Sequence, residues 1–310
     1  MIPSYNVRSY RLIVQMSSLK RLLVEGRDDR IALRCLVDAI LGSDSEVVID
    51  IAEMISTDGL SARGNREKVE AICSEIRNHT QNNRPFSGFV DREYREFDTD
   101  NILDLAPAPH SERFLSRSRG HSIENYWFSF DIFREALKAI AVTPHFPEAI
   151  RLFESRFESS LKLACAASLA ANELGMHDAI RRGIGWECLE VSNDGFDVDD
   201  ALFKSQLIQR MSTTTAMASS ISSTVRKWYH QAAKADVDAA RWISHGHIGL
   251  SVLWACYAAS VFHVSNSSEE ARAVYALAEG PRSNACANAW SRSAAAGNAA
   301  APWELITAIQ

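Results

Sequence analysis

The chain has 310 residues, of which 46 % are apolar and 23 % are charged, and its formal net charge is −6. This composition is that of an ordinary soluble protein, long enough for one large domain or two smaller ones with a real core. The negative charge argues against a protein that coats nucleic acid, because such proteins are basic. It leaves open an enzyme that acts on nucleic acid through a local patch and bound cations.

Strand and helix patterns alternate through the first part of the chain. The predicted elements, in order, are a strand at 20–25, a helix at 28–41, a strand at 46–54, a loop at 57–65, a helix at 66–79, and strands at 86–91 and 101–107. Alternation of this kind indicates βαβ units, a mostly parallel sheet and right-handed crossovers. We therefore expect an α/β domain over residues 1–128, with a mostly parallel sheet flanked by helices.

Helical patterns dominate the rest of the chain, so we expect a helical domain over residues 129–310. Within it, the Ser/Thr-rich stretch 212–224 is predicted to be a flexible loop, and the tail 281–310, rich in Ala, Ser and Asn, is predicted to be loosely ordered. The longest apolar run, 248–262, is shorter than the roughly 20 residues needed to cross a bilayer. It is predicted to be a buried helix.

The cysteines and the N-terminus indicate a reducing compartment. No pair of the six cysteines has Cys-x-x-Cys spacing, and several lie in apolar helical runs, which is typical of buried reduced thiols. The first residues lack the apolar segment of a secretory signal peptide. We expect a cytoplasmic protein without a membrane partner.

Acidic residues follow the predicted strands. Glu25 ends the first strand, Asp91 ends the third, and Glu93 would point to the same side as Asp91 on an extended segment. Asp29 lies one helical turn after Glu25, and Glu124 follows the fourth predicted strand. Sites in parallel sheets form at the carboxyl ends of strands. Several acids meeting there would repel one another unless a hard divalent cation neutralised them, and Mg²⁺ is the default.

A purely structural interpretation of these acids stays open. Acids are common at strand ends and helix starts. Asp28 and Asp29 also suit the first turn of a helix, through capping and through the helix dipole.

Three motifs, taken in order, resemble the signature of Toprim proteins. VEGRDD (24–29) supplies a Glu-Gly after the first strand, and FVDREY (89–94) has Asp-x-Glu where the signature has Asp-x-Asp. HSIENYW (121–127) resembles a His-x-Ile-Glu-Asn-Tyr segment of a Toprim family related to the OLD (overcoming lysogenization defect) nucleases. With its length, the chain is similar to the AriB-type effectors of PARIS anti-phage systems. The motifs cover only residues 22–128.

The resemblance implies a role for each matching residue. Glu25 would be a metal ligand and general base, and the further ligands of two Mg²⁺ (or Mn²⁺) ions would be Asp29, Asp91, Glu93 and Glu124. Gly26 would let the backbone approach the substrate. His121 would orient a ligand or the phosphate, with a structural histidine as the alternative.

A late segment, RWISHGHIGL (241–250), resembles the Gly-Lys segment of the same family, whose lysine stabilises phosphate charge. His247 occupies the position of that lysine and carries less positive charge at pH 7. The alternative is that His245 and His247 merely begin a helix.

Arginines precede the HSIENYW motif. Arg113, Arg117 and Arg119 could bind a nucleic-acid backbone near a metal site, and Arg27 beside Glu25 could do the same. The alternative for these arginines is a solvated loop.

The resemblance as a whole implies a Mg²⁺-dependent endonuclease that cleaves tRNA by two-metal hydrolysis and causes abortive infection. The chain has no G-x-x-x-x-G-K-[ST] motif, so the implied ABC-type, AriA-like ATPase that holds the nuclease inactive is a separate protein, docking on the helices beyond 129. The released nuclease would be a homodimer. The alternatives are an inactive Toprim binding module, supported by Glu93 and His247, and a DNA-cleaving OLD-like nuclease. A topoisomerase or primase fragment fits poorly, because the chain is short.

Overall fold

The computed structural model describes residues 5–56, 64–79, 86–108, 112 and 114–309. The strands are β1 Tyr5–Asn6, β2 Lys20–Val24, β3 Val47–Ile51, β4 Ile55–Ser56, β5 Phe86–Val90, β6 Phe97–Asp98, β7 Leu103–Asp104, β8 Leu115–Arg117, β9 Leu189–Val191 and β10 Phe196–Val198. The helices are α1 Val7–Met16, α2 Arg27–Leu41, α3 Asn65–His79, α4 Phe130–Ile140, α5 Phe146–Glu154, α6 Phe157–Leu174, α7 His177–Gly183, α8 Asp200–Met211, α9 Thr215–Ala232, α10 Val237–Ile243, α11 Gly246–Ser265, α12 Ser268–Tyr275, α13 Glu279–Ala295 and α14 Trp303–Ala308. Most of the predicted loop at 57–65 lies outside the described residues.

The chain forms two compact units. The first unit comprises Met1–Arg92, Ala106–Tyr126 and Ala287–Gln310, and the second comprises Glu93–Leu105 and Trp127–Cys286. The predicted division at residue 128 lies close to the junction at Tyr126. The chain also crosses between units near residues 92, 105 and 286, so two short segments belong to a different unit than expected.

A four-stranded parallel sheet organises the first unit, in the order β3-β2-β5-β8. The last three residues of the central strand β2 form an apolar run because both faces of the sheet are covered there: Leu22, Leu23 and Val24 are fully buried. Helix α3 packs on β5 and buries the stripe predicted from its spacing, Val69, Ile72, Cys73 and Ile76. This fold is mixed α/β with a parallel sheet flanked by helices, as predicted.

The prediction of a sheet strand at 101–107 is wrong. Only Leu103–Asp104 is extended there, and it forms a short antiparallel pair with β6 in the second unit. Leu103 is 48 % exposed and Leu105 is 63 % exposed, whereas Ile102 is buried but has a positive φ of 53°, so the apolar residues there do not form a buried strand. The fourth parallel strand is β8, which lies in the segment that carries the predicted nucleic-acid-binding arginines.

The second unit is mainly helical and is built around α6 and α11. Helix α11 is apolar on all sides because neighbouring helices surround it, and residues such as Trp254 and Tyr257 are fully buried. It is the one helix among the described residues with the length and composition to cross a membrane, yet 72 % of its most apolar window is buried inside the protein. This confirms the predicted buried helix at 248–262 and is consistent with a soluble protein.

Two predictions of irregular structure are wrong. Most of the stretch 212–224 belongs to α9, where Thr214 caps the helix by accepting a 3.2 Å hydrogen bond from the amide of Met217. Most of its small polar residues are at least partly exposed, while Ile221, Ser222 and Val225 are buried, so composition alone suggested a loop. The predicted loose tail contains most of α13 and the whole of α14. Trp290 in this tail is fully buried.

Candidate active site at the carboxyl edge of the sheet

Two acids lie side by side where neighbouring parallel strands end. Glu25 follows β2 directly and Asp91 follows β5 directly, and the register of the two strands brings their ends to one edge. The backbone amide of Asp91 donates a hydrogen bond of 2.9 Å to Oε1 of Glu25. The carboxylate of Glu25 therefore lies across the gap between the two strands, as the prediction from sheet topology requires.

Asp29 joins this edge from the first turn of α2. The helix begins after Gly26, whose backbone amide donates a 3.0 Å hydrogen bond to Oδ2 of Asp29. Asp29 therefore does cap the start of the helix, and this hydrogen bond uses one of its two carboxylate oxygens. Gly26 has extended backbone, and a Cβ added there would lie 3.8 Å from Oε1 of Glu53 and 3.9 Å from Asp29. Since those are ordinary contacts, the predicted role of Gly26 in substrate approach stays a prediction.

The HSIENYW segment supplies the fourth carboxylate. The segment forms a short 3-10 helix at Ile123–Trp127, and the amide of Ile123 donates a 3.2 Å hydrogen bond to Oδ1 of Asp91. Ser122 Oγ donates a 2.5 Å hydrogen bond to Oε2 of Glu124, and the Ser122 amide donates to Oδ1 of Asn125 at 2.8 Å. Buried polar groups are costly unless they are hydrogen-bonded. This segment is therefore built to hold a buried carboxylate in place.

The charges of these four carboxylates act on one another. Burial, then the charges of Glu124 and Glu25, raise the pKa of Asp29 to about 7. Burial, then the charges of Asp29, Glu124 and Glu25, raise the pKa of Asp91 well above its ordinary value. Clustered carboxylates in a poorly solvated site resist simultaneous ionisation. Four of the five predicted metal ligands therefore lie close enough for their charges to affect one another.

The expected pairing of Asp91 with Glu93 on an extended segment is not found. β5 ends at Val90, and Glu93 has a φ of 53°, in the left-handed region that non-glycine residues seldom adopt. Because the backbone turns there, alternation of side chains no longer applies. Glu93 also begins the second unit. Its role as a ligand remains a prediction that rests on the resemblance.

Two further residues of this edge were not predicted. Arg92 is only 2 % exposed; its amide donates to Ser118 Oγ at 2.9 Å and its Nη1 donates to the carbonyl of Arg119 at 2.7 Å. Arg92 thus joins the end of β5 to the segment after β8. Glu53 follows β3 at the same edge, beside Gly26. The position of Glu53 at this edge was not predicted, because the sequence pattern indicated a strand that continues to residue 54, whereas β3 ends at Ile51.

The predicted nucleic-acid-binding arginines have different surroundings. Arg27 is largely exposed, with Nε 3.9 Å from Oε2 of Glu53. Arg117 is in β8 rather than in a solvated loop, and its side chain lies 3.8 Å from Glu112. Arg119 accepts the hydrogen bond from Arg92 and donates its amide to the hydroxyl of Tyr126. Arg113 lies outside the described residues.

The two histidines with predicted roles in the site, His121 and His247, also have different surroundings. His121 is 7 % exposed in the first unit, next to the buried Ser122 and Glu124. His247 is in the first turn of α11 in the second unit, with Nδ1 2.8 Å from Oε1 of Glu279. Arg181 donates to the other oxygen of Glu279 at 2.6 Å. His245 and His247 do begin a helix, as the structural alternative proposed, and His247 forms an ion-pair network there.

The side chains at this edge offer carboxylate oxygens, the ligand type that hard divalent cations prefer. Within the described ranges, no group of three or more Asp, Glu, His or Cys side chains is arranged so that it could hold a metal ion. Mg²⁺ usually needs only one or two carboxylates, with waters and substrate phosphate completing its shell. Glu25, Asp29 and Asp91 each accept a hydrogen bond from a backbone amide through one carboxylate oxygen. The oxygen chemistry fits Mg²⁺, although a closed ligand shell is not preformed.

Comparison with known proteins adds no family assignment: no protein-family model and no curated protein matches this chain.

Proposed function

We propose that the edge formed by Glu25, Asp29, Asp91 and Glu124 is the centre of a Toprim-type, Mg²⁺-dependent endonuclease. The observation that carries this proposal is geometric: the Asp91 amide donates a 2.9 Å hydrogen bond to Glu25, and the Ile123 amide beside Glu124 donates one of 3.2 Å to Asp91, which joins three separated segments at one edge. The raised pKa values of Asp29 and Asp91 support it. A buried concentration of negative charge is costly unless it serves a function or meets a cation. The order of the VEGRDD, FVDREY and HSIENYW motifs supports the Toprim assignment.

The residues would divide the work as follows. Bound Mg²⁺ supplies activation of water and stabilisation of the leaving oxygen in phosphodiester hydrolysis. Glu25 is positioned by the Asp91 amide and acts as the general base that accepts the proton of the attacking water. Asp29, Asp91 and Glu124 hold the cation, and Ser122 fixes the orientation of Glu124. The exposed Arg27 binds the backbone of the nucleic acid.

The substrate and the partner are proposed from the resemblance. The substrate is tRNA, cleaved when a separate ABC-type, AriA-like ATPase releases the nuclease during infection. The released form is a homodimer. The helical second unit provides the surface for the ATPase, since exposed apolar residues such as Leu202, Ile208 and Met217 lie on its helices.

The test is cleavage of total tRNA by the purified full chain, with Mg²⁺ titrated from zero and product ends mapped. Glu25→Gln and Asp91→Asn should each lower the cleavage rate by at least about a hundredfold, because each removes a reacting or cation-binding group. Asp44→Asn is the matched control, since it removes an exposed carboxylate before β3, at the opposite edge of the sheet. Its rate should equal that of the wild type.

A second candidate is an inactive Toprim fold that binds nucleic acid or a partner without cleavage. The observation that favours it is that no closed set of metal ligands exists among the described residues. In that case tRNA would be bound but left intact at every Mg²⁺ concentration. Cleavage that persists unchanged in Glu25→Gln would refute the proposed site, whereas cleavage of duplex DNA alone would refute only the RNA substrate.

A further inference from the structure

A buried lysine lies in the first turns of α3, in the first unit. Lys68 is only 8 % exposed, and lysine is almost never this buried unless it is paired. In the parts of the chain that the structure describes, its ammonium group forms no hydrogen bond and no ion pair. Burial of an ammonium group without a partner costs free energy. Lys68 is therefore a candidate for a functional residue rather than for a stabilising one.

The topology of the sheet places this lysine near the carboxyl edge that carries the acids. Helix α3 lies between the parallel strands β3 and β5 in the chain, so it runs against the strand direction and begins near their carboxyl ends. Val69 packs over β5, since a Cβ added at Gly88 would lie 3.1 Å from Val69 Cγ1. Gly88 comes shortly before Asp91. Lys68 precedes Val69 and thus lies still closer to the edge.

Glu53 is the acid whose charge acts on Lys68. Helix α3 packs against the 3-10 turn Ala52–Met54, which contains Glu53. Burial lowers the pKa of Lys68, and the charge of Glu53 opposes this effect. The parallel register of β2 and β3 also brings Glu53 to Gly26, where a Cβ would lie 3.8 Å from its Oε1. Glu53 thus connects the lysine to the start of α2 and to the proposed site.

A second cation approaches the same acid. Nε of Arg27 lies 3.9 Å from Oε2 of Glu53, too far for a hydrogen bond. One carboxylate cannot neutralise two cations, so positive charge remains in excess around Glu53. Phosphate oxygens form strong charge-assisted hydrogen bonds with ammonium groups. A phosphate group would therefore give Lys68 the partner that the described residues do not provide.

We propose that Lys68 binds a backbone phosphate of the tRNA substrate beside the carboxylate cluster, and that Glu53 holds Lys68 in position. This inference rests on the proposed nuclease function and adds a substrate-binding residue to it. Arg27 and Lys68 would then contact the nucleic acid from the starts of two different helices. Their positive charge would offset the repulsion between the substrate and the acids of the edge.

The test is the binding of fluorescein-labelled tRNA, followed by fluorescence anisotropy at several KCl concentrations in Mg²⁺. The full chain carries Glu25→Gln, so that binding is measured without cleavage. Loss of one phosphate contact lowers the slope of log affinity against log salt by about 0.7–1. Lys68→Met and Lys68→Gln should each lower the slope by this amount and weaken binding at least about threefold at low salt. Lys68→Arg keeps the charge and should keep the slope.

Lys20→Met is the matched control, because it removes the same charge from the start of β2, at the opposite edge of the sheet. It should leave both slope and affinity unchanged. If the stem of Lys68 only covers apolar surface, Lys68→Met should bind tRNA as the parent chain does, which would refute the proposal while leaving the nuclease function intact. An equal loss of slope in Lys20→Met would indicate a general charge effect and would refute it too. A parent chain that binds no tRNA would refute both this role and the RNA substrate.

Discussion

Oε1 of Glu25 accepts a 2.9 Å hydrogen bond from the backbone amide of Asp91, a residue 66 positions further along the chain. Backbone groups at strand ends move little, because the sheet holds them. The pairing of β2 with β5 therefore contributes to the orientation of the Glu25 carboxylate. An acid fixed in this way is suited to act as a base on a positioned water, which is the role proposed for it.

Replacing Asp91 with Asn should stabilise the protein in the absence of divalent cations. The change removes one charge from four that repel one another, while the Asn Oδ1 can still accept the hydrogen bond from the Ile123 amide. The free energy of unfolding at pH 8 in EDTA should rise by about 1–2 kcal/mol. Urea denaturation measures it, and Asp44→Asn should stay within about 0.5 kcal/mol of wild type. A destabilised Asp91→Asn would mean that the acids do not repel one another in the folded protein.

Replacing Ser122 with Ala should weaken both folding and cleavage. Ser122 Oγ is the hydrogen-bond donor to the buried Glu124 carboxylate, and its loss leaves that oxygen less satisfied. The expected loss of stability is about 1–3 kcal/mol. The Mg²⁺ concentration needed for half-maximal cleavage should rise if Glu124 is a ligand. Ser122→Thr keeps the hydroxyl and should restore both properties; equal behaviour of Ala and Thr variants would argue against an orienting role.

The stability of the second unit should fall as the pH falls below 6.5. Burial, then the neighbouring His247, His177 and Arg181, lower the pKa of His245 to about 4. The unfolded chain therefore binds a proton at this histidine between pH 6.5 and about 4, whereas the folded chain does not. Stability rises with pH through this window, by up to about 3 kcal/mol.

His245→Asn tests this, because Asn is a good residue at the start of a helix and does not titrate. The free energy of unfolding of the wild type minus that of the variant isolates the effect of the histidine from that of the acids of the first unit, whose raised pKa values change stability in the opposite direction. This value should fall as the pH is lowered from 7 to 4.5, because only the wild type loses stability through His245. An NMR titration that finds the His245 pKa near 6.5 would refute the expectation.

The cysteines should differ in reactivity. All six are free thiols; Cys73, Cys165, Cys188, Cys256 and Cys286 are buried, and Cys35 is partly exposed. Burial raises the pKa of Cys188 to about 12 and also raises that of Cys35. A thiol-specific reagent at pH 8 should modify at most Cys35 in the folded protein, slowly, and all six in denaturant. Rapid native labelling of two or more cysteines would show that the cores open readily.

The strands at the centre of the sheet were predictable because burial on both faces leaves a clear apolar pattern in the sequence. β2 ends in an apolar run at 22–24, β5 is buried along its whole length, and α3 carries its apolar residues at helical spacing. The edge strand β8 was missed because only three residues pair there, among polar neighbours. Helix α9 was missed because its N-terminal half is rich in serine and threonine, and only a few apolar residues, such as Ile221 and Val225, mark its buried face.

The site was predictable to the extent that strand topology places residues. Glu25 and Asp91 follow parallel strands, so their meeting could be expected before any coordinates. Ser122 and Arg92 act through contacts between segments distant in sequence, and no spacing rule marks such residues. Glu93 shows where prediction from strand topology fails: a single residue with positive φ ends the alternation of side chains on which its placement was based.

The return of the last segment, residues 287–310, to the first unit has a consequence for biosynthesis. During translation the second unit is complete once Cys286 has emerged, but the first still lacks Trp290, whose ring lies 5.5 Å from that of Tyr126, next to the HSIENYW acid. Domains begin to fold as soon as their residues leave the ribosome. A ribosome that stalls before this segment would thus release a chain whose helical part is folded while its acidic edge is unfinished.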